Sequence, residues 1–504
     1  MPIETELKLQ LVNTPVSQFL AHPALQQATV THLPQRLYNT YYDTPRRDLA
    51  QQRIGVRIRR IGNEYIQTVK TGGKNVGGLQ QRNEWEISIP ADQLDLEHLK
   101  QVLPEEAQTF ISELSPMFTT DFTRRIWDIW IAGEHHIELA LDEGEIRSGQ
   151  SSMNLQEIEL ELKQGRASKI YQFALYLQET LPLVIEQRSK AERGNQLYTG
   201  NFTANSYKAS PLQLGKRCNV EEAFIEIMQH NLAHLQANEA AALQGEDIEG
   251  VHQMRVALRR LRSCLSLFSE VIHKASNGEL RAQLKQVGLK LGDARNWDVF
   301  LLEINKMRQI SHSARSVESI LPELLAQRAQ SHAQVQNMLA SVAYSRLLLQ
   351  LGKWLEEKTW RNRLGNKGLQ HLQQPITKFS TQVLAQHADE VKLMGAKFEE
   401  MDALQRHALR ILVKKLNYAC RFFVELFPTK ETLAYISLLG ELQDCLGLMN
   451  DAVVAHELLD QANVRDETLA RQFINGWHAQ LLQAELLKSH RLWQQFLQQP
   501  AFWE

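Results

Sequence analysis

The sequence predicts a two-domain α+β protein, in which a β-domain with charged strand faces turned inward precedes an all-α domain built by duplication. Three observations predict it. Nine of the fourteen prolines lie before residue 200, where apolar and polar residues alternate with period two, whereas from about Val220 the period is near 3.6. The second half repeats itself at a fixed offset. Several early strands concentrate charge of both signs on one face.

Composition bounds the classes. The 504 residues carry a formal net charge of -2 with 23% charged residues, which argues against bulk attraction to nucleic acid or membrane but permits local basic clusters. Glu4, Glu6 and Lys8 fall within the first ten residues, and no stretch approaches the ~18 apolar residues of a membrane span. Cys218, Cys264, Cys420 and Cys445 form no C-x-x-C pair or zinc-like spacing, so reduced thiols in a cytoplasmic protein are expected. At this length two or more domains are the expectation. They are assigned to residues 1–202 and 218–504, joined by a polar, turn-rich linker at 203–217.

In the first domain, side chains at i, i+2 and i+4 of a strand share a face. Glu4, Glu6 and Lys8 project together, as do Arg57 and Arg59, then Thr68 and Lys70, then Arg82, Glu84 and Glu86, then Glu157, Glu159, Glu161 and Lys163. The reverse faces carry Leu7 and Leu9, Val56 and Ile58, Trp85 and Ile87, Ile158 and Leu160. Solvent explains one such strand. For the whole set, a closed barrel with its charges inward satisfies both faces. Such an interior is costly unless its charges are paired, hydrated or occupied by ionic ligands. Carboxylates suit hard divalent cations, and Arg and Lys suit phosphate oxygens. The run Gly72-Gly73-Lys74-Asn75-Val76-Gly77-Gly78 lacks the G-K-[ST] ending of a phosphate loop and is expected to be a hairpin connection.

The opening E-x-E-x-K, followed in order by YYDTPRRDLAQQRIGVRIRR, TVKTGG, RNEWEI, LDEG and EIELELK, resembles the CYTH or triphosphate tunnel metalloenzyme superfamily over residues 1–200. The resemblance implies an antiparallel eight-stranded β-tunnel that hydrolyses triphosphate with magnesium or manganese. It implies catalytic roles for Glu4, Glu6 and Lys8. It implies metal ligation by Glu4, Glu6, Glu159 and Glu161, with Asp142 and Glu157 as further candidates. Lys8, Arg57, Arg59, Lys70, Lys190 and Arg193 would bind phosphate, and Arg125 is taken as the tunnel-facing member of the Arg124–Arg125 pair. A class IV adenylate cyclase or thiamine triphosphatase on the same fold is the alternative, as is a non-catalytic polyphosphate-binding protein.

In the second domain, His252-Gln-Met-Arg255-Val-Ala-Leu-Arg259-Arg260-Leu261 reappears 155 residues later as His407-Ala-Leu-Arg410-Ile-Leu-Val-Lys414-Lys415-Leu416. Leu291-Gly292 recurs as Leu446-Gly447 in the same register. His252, Arg255, Arg259 and Arg262 share a helix side, flanked by Arg260; His407, Arg410 and Lys414 repeat the layout, flanked by Lys415, with Asn417 standing where the first repeat has Arg262 and Arg421 one turn further on. Pairing with Asp293, Asp298, Asp444 or Asp451 competes with a groove for a polyanion. The motifs HQMRVALRRLR, KLGDARNWDV, HALRILVKKLNY and LQDCLGLMNDA resemble the CHAD domain, which implies paired four-helix bundles and polyphosphate binding through these basic residues.

Overall fold

The computed structural model describes residues 3–26, 28, 30–273, 276–310, 315–465 and 468–503. The chain divides into two compact units, one of residues 1–204 with 339–358 and the other of residues 205–338 with 359–504.

The first unit is a closed antiparallel barrel. Its strands are β1 (Ile3–Leu11), β2 (Val30–Thr31), β3 (Gln35–Asp43), β4 (Gly55–Ile61), β5 (Glu64–Lys70), β6 (Lys74–Val76), β7 (Leu79–Ile89), β8 (Ser115–Ile131), β9 (His135–Ser148), β10 (Ser151–Gln164) and β11 (Leu183–Ile185). The order β1-β10-β9-β8-β3-β4-β5-β7 closes because β7 also pairs with β1, giving eight barrel strands; β2, β6 and β11 are peripheral. The register lays charge beside charge. Glu4 lies opposite Arg82, Lys8 opposite Glu159, Lys70 opposite Glu84 and Arg124 opposite Asp142.

Residues opposed across a ladder share a face, so the alternation in the sequence becomes an inside and an outside. Leu7, Leu9, Leu139, Leu141, Ile158 and Leu160 face outward and are covered by apolar side chains such as Phe19, Ile170 and Phe173. Val56 and Val69 are covered on another side by Leu49, Leu99 and Leu103.

The sequence reading assigned 218–504 to one continuous helical domain. The chain instead leaves the helical unit at Leu339 and returns at Thr359, and the helix Val342–Glu357 packs on the first unit. Its Ser345 hydroxyl accepts a hydrogen bond from the Ile185 amide at 3.0 Å. The glycine-rich run is the expected hairpin connection, and one of its glycines, Gly77, is explained by this helix. Gly77 has φ 57°, and a Cβ there would meet the Leu348 carbonyl oxygen at 2.8 Å.

The second unit holds two sets of four longer helices, Val220–Ala237, Ile248–Leu267, Gly278–Ile310 and Leu321–Leu339, then Ile376–Met394, Ala403–Phe423, Lys430–Gln461 and Leu469–Gln498. The two basic helices, Ile248–Leu267 and Ala403–Phe423, pack on one another. Phe224, Phe268, Phe379 and Phe423 form an aromatic cluster in the core. All four cysteines are free, and Cys264, Cys420 and Cys445 are buried. Among the described residues no helix is long and apolar enough to cross a membrane.

Candidate functional sites

The barrel interior is a network of acids and bases in two groups joined by one lysine. On the β1–β7 side, Lys70 Nζ donates to both Glu4 carboxylate oxygens at 2.8 Å and lies 2.9 Å from Glu84. Arg82 Nε donates to Glu4 Oε2 at 2.9 Å, and its Nη2 donates to Glu6. On the β9–β10 side, Arg124 makes two 2.7 Å bonds to Asp142 and one to Glu159. Lys8, only 2% exposed, pairs with Glu6 and, at 2.9 Å, with Glu159, so it links the two groups.

A short helix closes one flank. Ser189 and Glu192 form a reciprocal cap at the start of Lys190–Thr199, which fixes its entry angle. Lys190 and Arg193, three residues apart, therefore project on one side. Lys190 reaches Asp142 at 2.7 Å, Glu159 at 3.0 Å and Glu157, while Arg193 pairs with Glu157.

Electrostatics separate these groups. Burial resists ionisation of Glu4, but Lys70, Arg82 and Lys8 outweigh it and hold the carboxyl far below its usual range. Glu159 is buried too, yet Lys190, Lys8 and Arg124 hold it well down. Burial pushes Glu157 up despite Lys190. The same desolvation acts on Lys190, but Asp142, Glu157 and Glu159 raise it above the ordinary lysine range. Arg59 differs. Burial, with Arg57 and Arg124 nearby, pushes it down to about 10. It donates to Asn39 at 3.0 Å and, among the described residues, makes no ion pair. Arg57 is 3.7 Å from both Glu84 and Glu86. Arg57 and Arg59 are thus the lumen cations least satisfied by protein carboxylates.

The oxygens of Asp142, Glu157 and Glu159 come within 4.8 Å of one another, the group among the described residues best placed to share a cation. All three are themselves ion-paired, as are Glu4 and Glu6 with Lys70 and Arg82, and Glu161 with Lys163 at 2.7 Å. The choice of Arg125 is corrected. Arg125 is 36% exposed and pairs with Glu143 at 3.0 Å, whereas Arg124 is the inward residue. Opposite Asp142 in the ladder, Arg124 must share its face, and Arg125 must point away. Sequence reasoning also left Arg82 outside the site, although its spacing from Glu84 and Glu86 placed it on their face.

In the helical unit, a cavity of about 540 Å³ is lined by Arg259, Arg262, Arg281, Lys285, Lys414 and Lys415, with Tyr418 and small or apolar residues, and no carboxylate. Cations from both repeats therefore meet. Arg281 and Lys285, i and i+4 on the helix that follows the first basic one, were not anticipated. His252, Arg255, Arg260, His407, Arg410 and Arg421 do not line this cavity. Arg255 lies beside Arg259 and Arg410, and burial with these neighbours pushes it down to about 10. Gly292 leaves room for Arg255, whose Nη1 would lie 2.3 Å from a Cβ there. Gly447 stands opposite Arg410 one repeat later. His407 Nδ1 is 2.7 Å from Asn450 Oδ1, and Arg421 donates to Asn417 at 3.0 Å. Asp298 pairs with Arg328 and His332, away from the basic helices.

A closed eight-stranded antiparallel tunnel lined by paired acids and bases, in one chain with a duplicated helical unit bearing a basic cavity, defines a two-domain tunnel–helical protein. Residues 2–194 match the CYTH domain family and residues 226–460 the CHAD domain family, so the chain carries a CYTH domain followed by a CHAD domain. It is 35% identical over 207 residues to the inorganic triphosphatase of Haemophilus influenzae, a match covering 40% of this chain and 56% of that protein. The chain thus spans little over half the length of that relative. Among solved structures, the CHAD domain from the plant Ricinus communis is 31% identical, covering 56% of this chain and 96% of that one, with a TM-score of 0.46. A Hippeastrum protein, described as a putative adenylyl cyclase with dominant triphosphatase activity, is 19% identical, covering 38% of this chain and 95% of its own, with a TM-score of 0.30.

Proposed function

We propose that the chain is a cytoplasmic, metal-dependent inorganic triphosphatase that splits triphosphate into pyrophosphate and orthophosphate inside the tunnel, and that its helical unit binds polyphosphate. One observation carries the first part. Lys8, Arg57, Arg59, Lys70, Arg82, Arg124, Lys190 and Arg193 face Glu4, Glu6, Glu84, Glu86, Asp142, Glu157, Glu159 and Glu161 in a closed lumen. Acids and bases occur in comparable numbers there, so the lumen residues taken together are close to neutral. A polyanion entering alone would leave it strongly negative. The carboxylates are therefore best read as sites for divalent cations that enter with the substrate.

Asp142, Glu157 and Glu159 offer hard oxygen donors that fit magnesium or manganese, with Glu4, Glu6 and Glu161 as further candidate ligands. Bound there, the metal would neutralise phosphate charge and orient the chain. The residues do the rest. Phosphoryl transfer needs positioning and charge neutralisation rather than covalent help from the protein. Arg57, 3.7 Å from its nearest carboxylates, and Arg59, with no ion pair among the described residues, are the cations freest to grip phosphate oxygens. Lys8, which links the two acid groups, would meet charge developing on the phosphoryl oxygens, and Arg124 orients Asp142 and Glu159. Water attacks the terminal phosphorus, the bridging P–O bond breaks, and pyrophosphate leaves into a lumen whose fixed cations offset its charge.

The name of the Haemophilus relative supports this reading. The test is phosphate release from inorganic triphosphate, ATP and thiamine triphosphate with magnesium and with manganese. Inorganic triphosphate should be the fastest of the three. No release with either metal would overturn the proposal, and faster turnover of ATP or thiamine triphosphate would favour the organic alternatives. For the helical unit, the carboxylate-free cavity supports polyphosphate binding. Affinity should fall steeply with added salt, as for other polyanions; salt-insensitive binding would count against an electrostatic groove.

A further inference from the structure

The helical unit places one amine where its chemistry changes. Lys414 lines the carboxylate-free cavity with Arg259, Arg262, Arg281, Lys285 and Lys415. Its charged surroundings are Arg410, Arg259 and Arg255, opposed by Asp451, and among the described residues it makes no ion pair. Burial and the guanidinium groups around this ammonium outweigh Asp451, so its neutral form is favoured. Open cavity space keeps that amine reachable.

We propose that Lys414 is an acylation site, a nucleophilic amine that takes the acyl group of acyl phosphates held in the cavity by the surrounding guanidinium groups. This rests on the reading of the cavity as an anion site. The Nζ lone pair attacks the carbonyl carbon and forms the amide C–N bond. The carbonyl C–O bond to phosphate breaks, and orthophosphate leaves with the electron pair and takes up the proton shed by the amine. No oxidant, reductant or further reactant is needed. The cavity of about 540 Å³ has ample room for a small acyl phosphate. The product amide has lost the ammonium charge, so acylation would weaken polyanion binding to the same cavity.

Burial, reinforced by Arg410, Arg259 and Arg255, pushes Lys414 down to about 7. About half of it is then neutral at pH 7, against roughly 0.04% of an ordinary lysine. Lower basicity makes each neutral amine a weaker nucleophile, so the expected net advantage is on the order of tenfold.

The test uses the intact chain. The protein is incubated with acetyl phosphate at pH 7, and acetyl occupancy is followed by peptide mass spectrometry at Lys414 and at the 81%-exposed Lys397. Long-chain polyphosphate binding is measured on the same preparation. Lys414 should be modified about tenfold faster than Lys397, and polyphosphate or inorganic phosphate should suppress that advantage. Modification of Lys414 no faster than Lys397 would overturn the proposal. So would a fast Lys414 reaction indifferent to a polyphosphate that the protein demonstrably binds, because the cavity would not then be delivering the donor. Fast acetylation suppressed by inorganic phosphate, in a protein that fails to bind polyphosphate, would support the acylation site and overturn only the polyphosphate reading.

Discussion

Replacing Lys8 with methionine tests the tunnel network at its junction. The lysine is 2% exposed and pairs with Glu6 and Glu159. Removing one member of a buried ion pair costs ~3–5 kcal/mol when the remaining charge is abandoned. Neither acid is abandoned here, because Glu6 keeps Arg82, and Glu159 keeps Arg124 and Lys190. Methionine also preserves most of the buried stem. A cost nearer ~2 kcal/mol follows, which for a unit of this size lowers Tm by about 4–8 °C.

The effect on turnover should be far larger than that on stability. If Lys8 meets charge developing on the phosphoryl oxygens, its loss removes about 10²–10³-fold from kcat, the usual cost of one positioned donor. Thermal unfolding and phosphate release from triphosphate, measured on one preparation, separate the two. A variant with lowered Tm but kcat within about threefold of the parent would make Lys8 a clamp between two acids with no part in the chemistry, and the reasoning would fail.

Arg124→Ala should cost at least about 10²-fold in turnover and Arg125→Ala no more than about threefold; equal effects would contradict the ladder register. Glu159→Gln should raise the manganese concentration needed for half-maximal phosphate release by roughly 10-fold or more, and an unchanged requirement would remove Glu159 from the metal site. Lys414 should tie polyphosphate affinity to pH. Its charged form favours the polyanion, so affinity should fall as pH rises from 6 to 8, and Lys414→Met should flatten that slope. Because folding lowers its pKa to about 7, the unfolded chain binds the extra proton up to about pH 10.4; stability should rise with pH through that window and lose this component in the methionine variant. At Gly352 an added Cβ would sit 2.3 Å from the Tyr171 ring, whose hydroxyl donates to the Val76 carbonyl at 2.5 Å. Gly352→Leu should therefore destabilise the first unit by ~1–3 kcal/mol, and an unchanged Tm would mean that Val342–Glu357 is not seated there.

What was legible in the sequence follows from periodicity. Alternation in E-x-E-x-K, in GVRIRR and in EIELELK separates the two faces of a strand without knowledge of its neighbours, so the acids and bases of the lumen could be named residue by residue. Pairing between strands is another matter. Arg124 and Arg125 are adjacent, one of them must face inward, and only the register with Asp142 on β9 decides which. Ranking the carboxylates also needed the ladder, because only the pairing of β9 with β10 brings Asp142 beside Glu157 and Glu159. The duplication fixed the two basic helices, but the cavity they share draws Arg281 and Lys285 from a helix whose pattern gave no such signal. The excursion of Val342–Glu357 was invisible for a related reason. Its amphipathic pattern shows that it packs, and nothing in that pattern says upon what.

The contrast between the two basic regions follows from how each treats its charges. In the tunnel most cations have a carboxylate within hydrogen-bonding distance, so under the proposed function substrate and metal would have to exchange for existing pairs. Exchange makes binding selective, because a ligand lacking either the anion or the divalent cation leaves half the network uncompensated. In the helical unit the cations meet no acid in the cavity, so under the proposed function a polyanion would relieve their mutual repulsion. Chemistry that must discriminate suits the first arrangement, and capture of a heterogeneous polymer suits the second. The strain of unpaired like charges is tolerable only because the two basic helices are anchored elsewhere by buried apolar faces, Val251, Met254, Leu258 and Leu261 on one and Leu409, Val413 and Leu416 on the other.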